Sequence, residues 1–483
     1  MAVAAAASTG ALAGLGLGLL IADGRGWPLL AIAVAAVVVT LLVRAAVPRH
    51  LRMSVGAILA LSFALHVSAA ALIYDYSLAT GGGGFITGDD RSYARLATLF
   101  AAYLHELPAD PPSWGSLSGL FGTWVYLEAA VFYVIGPEPL VAVTANMVFA
   151  LVAGLLTFDM ARRIFDERCG LIGLAIVVLF PSFLAWSSLN LKDALALLLM
   201  TGSVWSLVRY HASPRWPYLL LAFAFLFPLE SVRSYAFGGL CVLAPVVVFL
   251  TPGLAGRRRT VRTAAAAAIA LALLLPSPSA SHLGTGLFNQ LDHTRAALAR
   301  TANSGFRPTP SPAPTALPAP VKAAETEAAP GTSSGASVAP TAEPARTRRP
   351  VLATPPLAVR TVQALWTGLP YSIAAPFPWA LRRPLDGLTV PEMLLWYGLL
   401  FGAAWTTVRW RREWRRLSPF VLLTVGLVVF LAVAEGNVGG LFRHRSMELP
   451  WVALLAAPAL ATLASRLSSA RGPTITAVAE GRI

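Results

Sequence analysis

Residues 53–74 read MSVGAILALSFALHVSAAALIY, a run without one Asp, Glu, Lys or Arg that follows directly on Arg44, Arg49 and Arg52. As a helix, a run of this length reaches across a hydrocarbon core of about 30 Å. The arginines at its start should then lie in the cytoplasm, because cytoplasmic loops carry an excess of Lys and Arg. Comparable runs near 5–22, 28–43, 139–161, 169–188, 191–209, 216–230, 235–252, 263–276, 388–408, 419–435 and 449–465 bring the expected spans to about twelve.

The rest of the chain agrees with that reading. Of its 483 residues 56% are hydrophobic and 12% charged, with a mean hydropathy of +0.67; a soluble domain carries about 25% charged residues. A water-soluble enzyme is excluded, and the class is an all-α, polytopic helical membrane protein. The net charge of +14 would suggest nucleic acid on a soluble face. Here the arginines fall between apolar runs, so topology accounts for them and no nucleic-acid partner is expected. Cys169 and Cys241 both lie in apolar stretches, with no disulfide or metal-ligand spacing. The first 22 residues lack a basic leader and read as a membrane helix.

The arginine clusters also test the span count. Arg162/Arg163/Arg168, Arg209/Arg215, Arg257/Arg258/Arg259/Arg262 and Arg409/Arg411/Arg412/Arg415/Arg416 should share the side of Arg44 and Arg52. Three apolar stretches separate Arg52 from Arg162, and an even number must cross. The weakest is 117–136, with Gly122, Trp124, Tyr126, Glu128 and Tyr133, which therefore reads as an in-plane or re-entrant helix on the outer side. Residues 303–357, rich in Pro, Ala, Thr and Ser, bury too little apolar area to offset their ordering and read as a disordered extracytoplasmic linker. No second globular domain and no internal repeat is visible.

Polar residues collect at the outer turns. GGGGFITGDDRSYARLATLFAAYLHEL sets Asp89 and Asp90 at the start of an amphipathic helix whose apolar positions are Leu96, Phe100, Tyr103, Leu104 and Leu107. Two readings stand side by side: helix capping, worth about 0.3–1 kcal/mol, and a carboxylate that takes a proton from an attacking hydroxyl. FPSFLAWSSLNLKDALALLL places Asn190, Lys192 and Asp193 in a short outer turn. They read either as a helix start or as a polar patch facing the same cavity, with Lys192 on phosphate and Asp193 on a metal or hydroxyl. LESVRSYAF adds Arg233, and EGNVGGLFRHRSMELP adds Arg443, His444 and Arg445. Arginine suits bidentate phosphate recognition, while charges at helix ends also snorkel or pair with one another.

Asp89-Asp90-Arg91-Ser92-Tyr93-Ala94 resembles the Asp-Asp/Glu-x-x-Tyr-Ala pattern in the first outer loop of integral-membrane glycosyltransferases of the GT-C fold, the protein mannosyltransferase and aminoarabinose transferase branch in particular. YLEAAVFYVIGPEPLVAVTANMVFALVAGLLTFDMARRIF is similar to that family's in-plane helix, turn and following span. FPSFLAWSSLNLKD is similar to its second outer loop, whose acid, here Asp193, lies near the donor phosphate. The resemblance covers about 85–235. The stretch PADPPSWGSLSGLFGTW lacks the Lys-Pro-Pro-Leu of the aminoarabinose branch, so donor and acceptor identities do not carry over.

Residues and resemblance together lead to the expectation of a sugar transfer from a polyprenyl-phosphate donor to a glycan, lipid or protein acceptor at the outer face of the cell membrane. Asp89 would be the base, and Asp90 and Asp193 would orient the acceptor or a divalent cation, whose involvement stays open. Tyr93, Asn190, Lys192, Arg233, Arg443, His444 and Arg445 would receive donor and phosphate. The expected division is two N-terminal helices in 1–52, a core in 53–276 with outer loop 75–138, an extracytoplasmic loop in 277–387, C-terminal helices in 388–466 and a cytoplasmic tail in 467–483. Two rivals remain: a polymerase or ligase of lipid-linked glycan using the FRHR stretch, and a transporter, which would place polar groups through the midplane of the helices.

Overall fold

A computed structural model describes residues 26–105, 122–251, 256–275, 357–377 and 389–470, with a few isolated positions besides. The described residues form helices, short turns and no strand. In chain order these are α1 (Gly26–Ala46), α2 (Arg52–Ala79), α3 (Gly88–His105), α4 (Gly122–Ile135), α5 (Pro139–Ile164), α6 (Glu167–Leu179), α7 (Pro181–Ser187) and α8 (Asp193–Ala212). They continue with α9 (Trp216–Val232), α10 (Ser234–Leu250), α11 (Gly256–Leu274), α12 (Leu357–Ala374), α13 (Val390–Arg409), α14 (Trp414–Ala434), α15 (Val438–His444) and α16 (Leu449–Ala470).

Burial separates the periphery from the centre. α1 is apolar all round, and only Pro28, Ile32, Ala35 and Val43 are buried, as expected of a helix whose remaining face meets lipid. α8 is buried on nearly every side, from Asp193 to Tyr210. α5 and α6 pack closely because small residues let them. A Cβ at Gly154 would lie 2.3 Å from Val178 Cγ1, and one at Gly170 would lie 2.9 Å from Arg162 Cβ. The hairpin between them starts α6 cleanly, with Asp166 accepting from the Cys169 N–H at 2.8 Å.

One break positions the site. Pro181 forces Phe180 into an extended conformation (φ −65°, ψ 123°), and α6 and α7 bend by 55° there. α2 holds both sides of the break. Ser62 Oγ donates to Val178 O at 2.7 Å, and His66 Nε2 lies 2.8 Å from Ser187 Oγ. A backbone carbonyl freed by the break thus finds a hydroxyl, a requirement where water is absent. α7 then delivers residues 188–192 and the start of α8 to one end of the bundle.

Among the described residues five helices are long and apolar enough to cross a membrane: Gly26–Ala46, Arg49–Ala79, Pro139–Ile164, Arg411–Ala434 and Leu449–Leu467, or six if the bent pair α6 and α7 counts as one. That is fewer than the expected twelve. The other expected runs are helical but shorter or more polar. α9 and α10 have 17 residues each, α8 carries Asp193, Arg209 and His211, α11 opens on four arginines, and α13 carries Glu392 and Arg409. The expected span at 5–22 and nearly all of the linker at 303–357 lie outside the described residues. α4, in the ambiguous 117–136 stretch, has 14 residues. At 1.5 Å per residue it extends about 21 Å, too short to span.

Two expectations change. The stretch 277–387, read as a loop, contains helix α12, whose backbone packs so closely on α14 that a Cβ at Gly368 would overlap the Ala432 carbonyl. Trp396 and Tyr397 of α13 donate to the last carbonyls of α12, Ile373 O at 2.9 Å and Ala374 O at 2.7 Å. In α3 the buried face is Asp90, Tyr93, Ala94, Ala97 and Ala101. The larger residues Leu96 and Phe100 pack at its edge, because small side chains let the helix approach its neighbours.

Candidate functional site

Four helix ends meet around Asp193. The α7–α8 turn supplies Lys192 and Asp193, the α9–α10 turn supplies Arg233, α15 supplies Arg443 and His444, and the start of α3 supplies Asp89. Asp193, 1% exposed, is gripped from both sides. Arg233 Nη2 donates to its Oδ1, and Arg443 Nε donates to its Oδ2 at 2.6 Å. Arg443 Nη1 also donates to Asp89 Oδ2 at 2.7 Å. One arginine therefore joins acids 104 residues apart in the chain, and its guanidinium lies 5.8 Å from the Trp186 ring centroid.

The site extends on both sides of that bridge. Arg233 Nη1 lies 3.2 Å from His444 Nε2, and His444 Nδ1 lies 3.0 Å from Glu435 Oε2. Burial and the neighbouring Arg233 push His444 below its ordinary value, toward the neutral form. The Lys192 ammonium sits 6.0 Å from the Tyr93 ring centroid. Burial, with Arg233 beside it, pushes Lys192 down to about 8. Burial and the Asp89 carboxylate push the Tyr93 phenol up, so it stays protonated and can donate.

Asp89 and Asp90 are neighbours in sequence with separate tasks. The Asp89 side chain is 55% exposed, and its Oδ1 accepts no hydrogen bond among the described residues. Asp90 is buried and accepts from the backbone N–H groups of Ile86 (3.0 Å), Thr87 (3.1 Å) and Arg91 (2.7 Å). Its carboxylate orders the glycine-rich loop that presents Asp89, the arrangement the capping reading expects. Gly81, Gly83 and Gly84 in that loop have φ of +77°, +65° and +88°, a region open to glycine.

Arg445 stands apart from the group around Asp193. It points away from Asp193, donating to Ala375 O and to Met393 Sδ at 2.9 Å, with its guanidinium 5.0 Å from the Trp396 ring centroid. It is 2% exposed and makes no ion pair with Asp193. Near it the buried Glu448 is pushed up to about 8 by burial, against the pull of Arg445. Among the described residues no three His, Cys, Asp or Glu gather as metal ligands do. Asp90 spends its oxygens on backbone N–H groups and Asp193 spends its own on guanidiniums, so this donor set does not fit the divalent ion left open for that pair.

Asn190 belongs to the support beneath the site. Its Nδ2 donates to Glu128 Oε1 of α4 at 2.5 Å and approaches Asp90 O at 3.5 Å, tying α4, the α7–α8 turn and the start of α3 together. Glu128, 1% exposed and with Oε2 unpartnered, is pushed up to about 8 by burial, with Asp90 adding to the rise. Burial therefore favours its neutral form. From the sequence, Glu128 counts against a membrane crossing, and Glu435 joins the polar residues of the last outer turn without a specific role. Their signal was present, since a carboxyl in a run this apolar needs a partner. Glu128→Gln, which has the shape and charge of the neutral acid, should keep the thermal midpoint of the purified protein in detergent. Glu128→Ala leaves Asn190 buried without its acceptor and should cost about 1–3 kcal/mol. The pH sign follows from the raised value: the Glu128 contribution is complete below about 4.5 and fades as pH rises through about 8. Equal loss in both variants would show that Glu128 acts as an anion.

The opposite end of the bundle has another character. α8 runs from Asp193 to Arg209, sixteen residues or about 24 Å away. There Asp159 holds Arg162 (2.5 Å), Arg163 (2.7 Å) and Trp205 (2.9 Å), with Arg209 at 3.7 Å. Cations outnumber acids at that end, while acid, arginine, lysine and histidine mix around Asp193.

The family described as Dolichyl-phosphate-mannose-protein mannosyltransferase matches residues 121–282. Over that stretch the chain is similar to the GT-C glycosyltransferases. The matched residues include Glu128, Asn190, Lys192, Asp193 and Arg233, whereas Asp89 and Arg443 lie outside and join the site through the fold. No curated protein matches the chain. The match, with the apolar helices, supports a multi-pass membrane glycosyltransferase.

Proposed function

We propose that the chain transfers a sugar from a polyprenyl-phosphate donor to a glycan, lipid or protein acceptor at the outer face of the cell membrane, by direct displacement with inversion at the anomeric carbon. The observation that carries this reading is the junction of Arg443 with both Asp89 and Asp193, which sets a solvent-facing carboxylate beside a group of cations. Asp89 Oδ1 takes the proton of the acceptor hydroxyl as its oxygen bonds to the anomeric carbon. The bond from that carbon to the phosphate oxygen breaks, and the charge left on the phosphate falls to Arg443, Arg233 and Lys192. The face is assigned by charge, since the arginine-rich end around Arg162, Arg163 and Arg209 belongs in the cytoplasm. With Arg445 turned into the protein, the polymerase reading loses one of the cations it relied on.

The direct test is transfer by the purified protein in liposomes, supplied with radiolabelled polyprenyl-phosphate hexoses or pentoses and a cell-envelope acceptor fraction. Label should leave the lipid fraction and appear in acceptor with inverted configuration. Transfer from a nucleotide sugar, with none from any lipid donor, would overturn the reading. Lys192 adds a pH signature: because its value lies at about 8, donor KM should climb as pH rises through 8 and the ammonium loses its proton. Lys192→Arg stays charged and should flatten that climb in steady-state assays between pH 7 and 9. A climb of the same size in Lys192→Arg would assign the titration elsewhere.

A further inference from the structure

α1 and α2 are joined at their arginine-rich ends by the short turn through Arg49–Leu51. Val43, Val47, Leu51, Val55 and Leu59 pin them together on one side, and Ile32 with Val67 and Ala70 pins them nearer the other end. Between these contacts lies a cavity of about 370 Å³ walled by Val39, Gly56, Leu59 and Phe63, with Arg44 and Arg52 where it meets the helix ends. Ligand sites commonly enclose about 300–1,000 Å³. A Cβ on Gly56 would meet nothing within 4 Å, so the glycine leaves the groove open.

The groove has a polarity. The Thr40 hydroxyl in its wall is spent on Ala36 O at 2.7 Å, so the wall offers hydrocarbon. At its end Arg52 reaches back to Val47 O (3.1 Å) and Arg44 O (2.5 Å), and the Arg44 guanidinium has no partner among the described residues. Glu167 pairs with His50 at 2.9 Å and with neither arginine. An apolar slot that ends on two cations with no carboxylate on them is complementary to one kind of bilayer component.

We propose that this groove is a binding site for an anionic phospholipid, with one acyl chain along Val39, Gly56, Leu59 and Phe63 and the phosphate on Arg44 and Arg52. Guanidinium groups suit a phosphate diester. A zwitterionic headgroup brings its own cation to the same place and gains less. The site is separate from the sugar-transfer centre and does not depend on that reading.

The test is lipid retention by the purified full chain, taken from nanodiscs holding equal phosphatidylglycerol and phosphatidylcholine and read by native mass spectrometry. A basic residue near a membrane surface is worth about a fivefold preference for anionic lipid. Wild type should therefore retain phosphatidylglycerol over phosphatidylcholine by roughly twenty-five-fold, Arg44→Gln by about fivefold, and Arg44→Gln/Arg52→Gln near parity. Gly56→Phe should lower retention of both lipids by filling the slot. Arg44→Gln carries the test even if Arg52→Gln fails to fold, because the Arg44 side chain bonds nothing described. Parity in wild type, unchanged retention in Gly56→Phe, or a retained mass matching a polyprenyl phosphate would each overturn the proposal.

Discussion

Asp89→Asn should lower sugar transfer by about 10²–10⁴-fold, the usual worth of a general base, while the protein still expresses and binds donor. Asparagine keeps the size of the side chain and an oxygen for Arg443 Nη1, but it has no basic oxygen for the acceptor proton. The side chain is 55% exposed, so the thermal midpoint should hardly move. Asp90→Asn should behave differently: its oxygens serve the loop N–H groups of Ile86, Thr87 and Arg91, so its cost should appear as a smaller loss that falls on kcat and on stability together. Single-turnover transfer with saturating lipid-linked donor separates the two. Wild-type transfer by Asp89→Asn would remove the base from this mechanism and put the polymerase and transporter readings ahead.

Asp193→Asn should be the more destructive change for the protein itself. Asp193 is 1% exposed and carries Arg233 and Arg443, whose side chains are 11% and 15% exposed. Without its charge two neighbouring guanidiniums face each other with little water to screen them, and stranding a buried charge costs about 3–5 kcal/mol. The thermal midpoint in detergent should fall clearly further than in Asp89→Asn, and donor affinity should fall with it as Arg443 loses its anchor. An unfolding midpoint equal to that of Asp89→Asn would mean that Asp193 is not what holds the two arginines in place.

Much of the architecture was legible because one rule governs it: apolar runs make helices, and arginines gather at one end of them. The rule fails for α12. LAVRTVQALWTGLPYSIA mixes Arg, Thr and Gln into an apolar background, and its packing partner is α14, more than forty residues on. The count of about twelve spans is not confirmed: α9 and α10 have 17 residues each, and helices buried by their neighbours tolerate polar ends that a lipid-facing helix would not.

The site residues were legible as types, while their grouping was not. Arg443 and Arg445 stand two apart in FRHR, which on a helix turns them about 200° from each other. One meets Asp193 and the other meets the end of α12. Asp89 and Asp90 diverge for the same reason. What brings Arg443 to Asp89 is a contact across 354 residues, set by how α15 docks over the α7–α8 turn. No local spacing encodes it.

The doubly engaged Arg443 makes the resting site behave as an ion exchanger. Its guanidinium already holds two carboxylates, so an incoming phosphate does not meet a vacant cation but trades places with a carboxylate. On the proposed mechanism the carboxylate most easily exchanged is the exposed one, Asp89, and the trade would release the base at the moment the donor arrives. Chemistry would then be ordered without any moving domain: donor first, acceptor second, with little wasteful attack by water while the site waits. Steady-state kinetics should show compulsory order with donor leading, and a random-order pattern would count against the exchange.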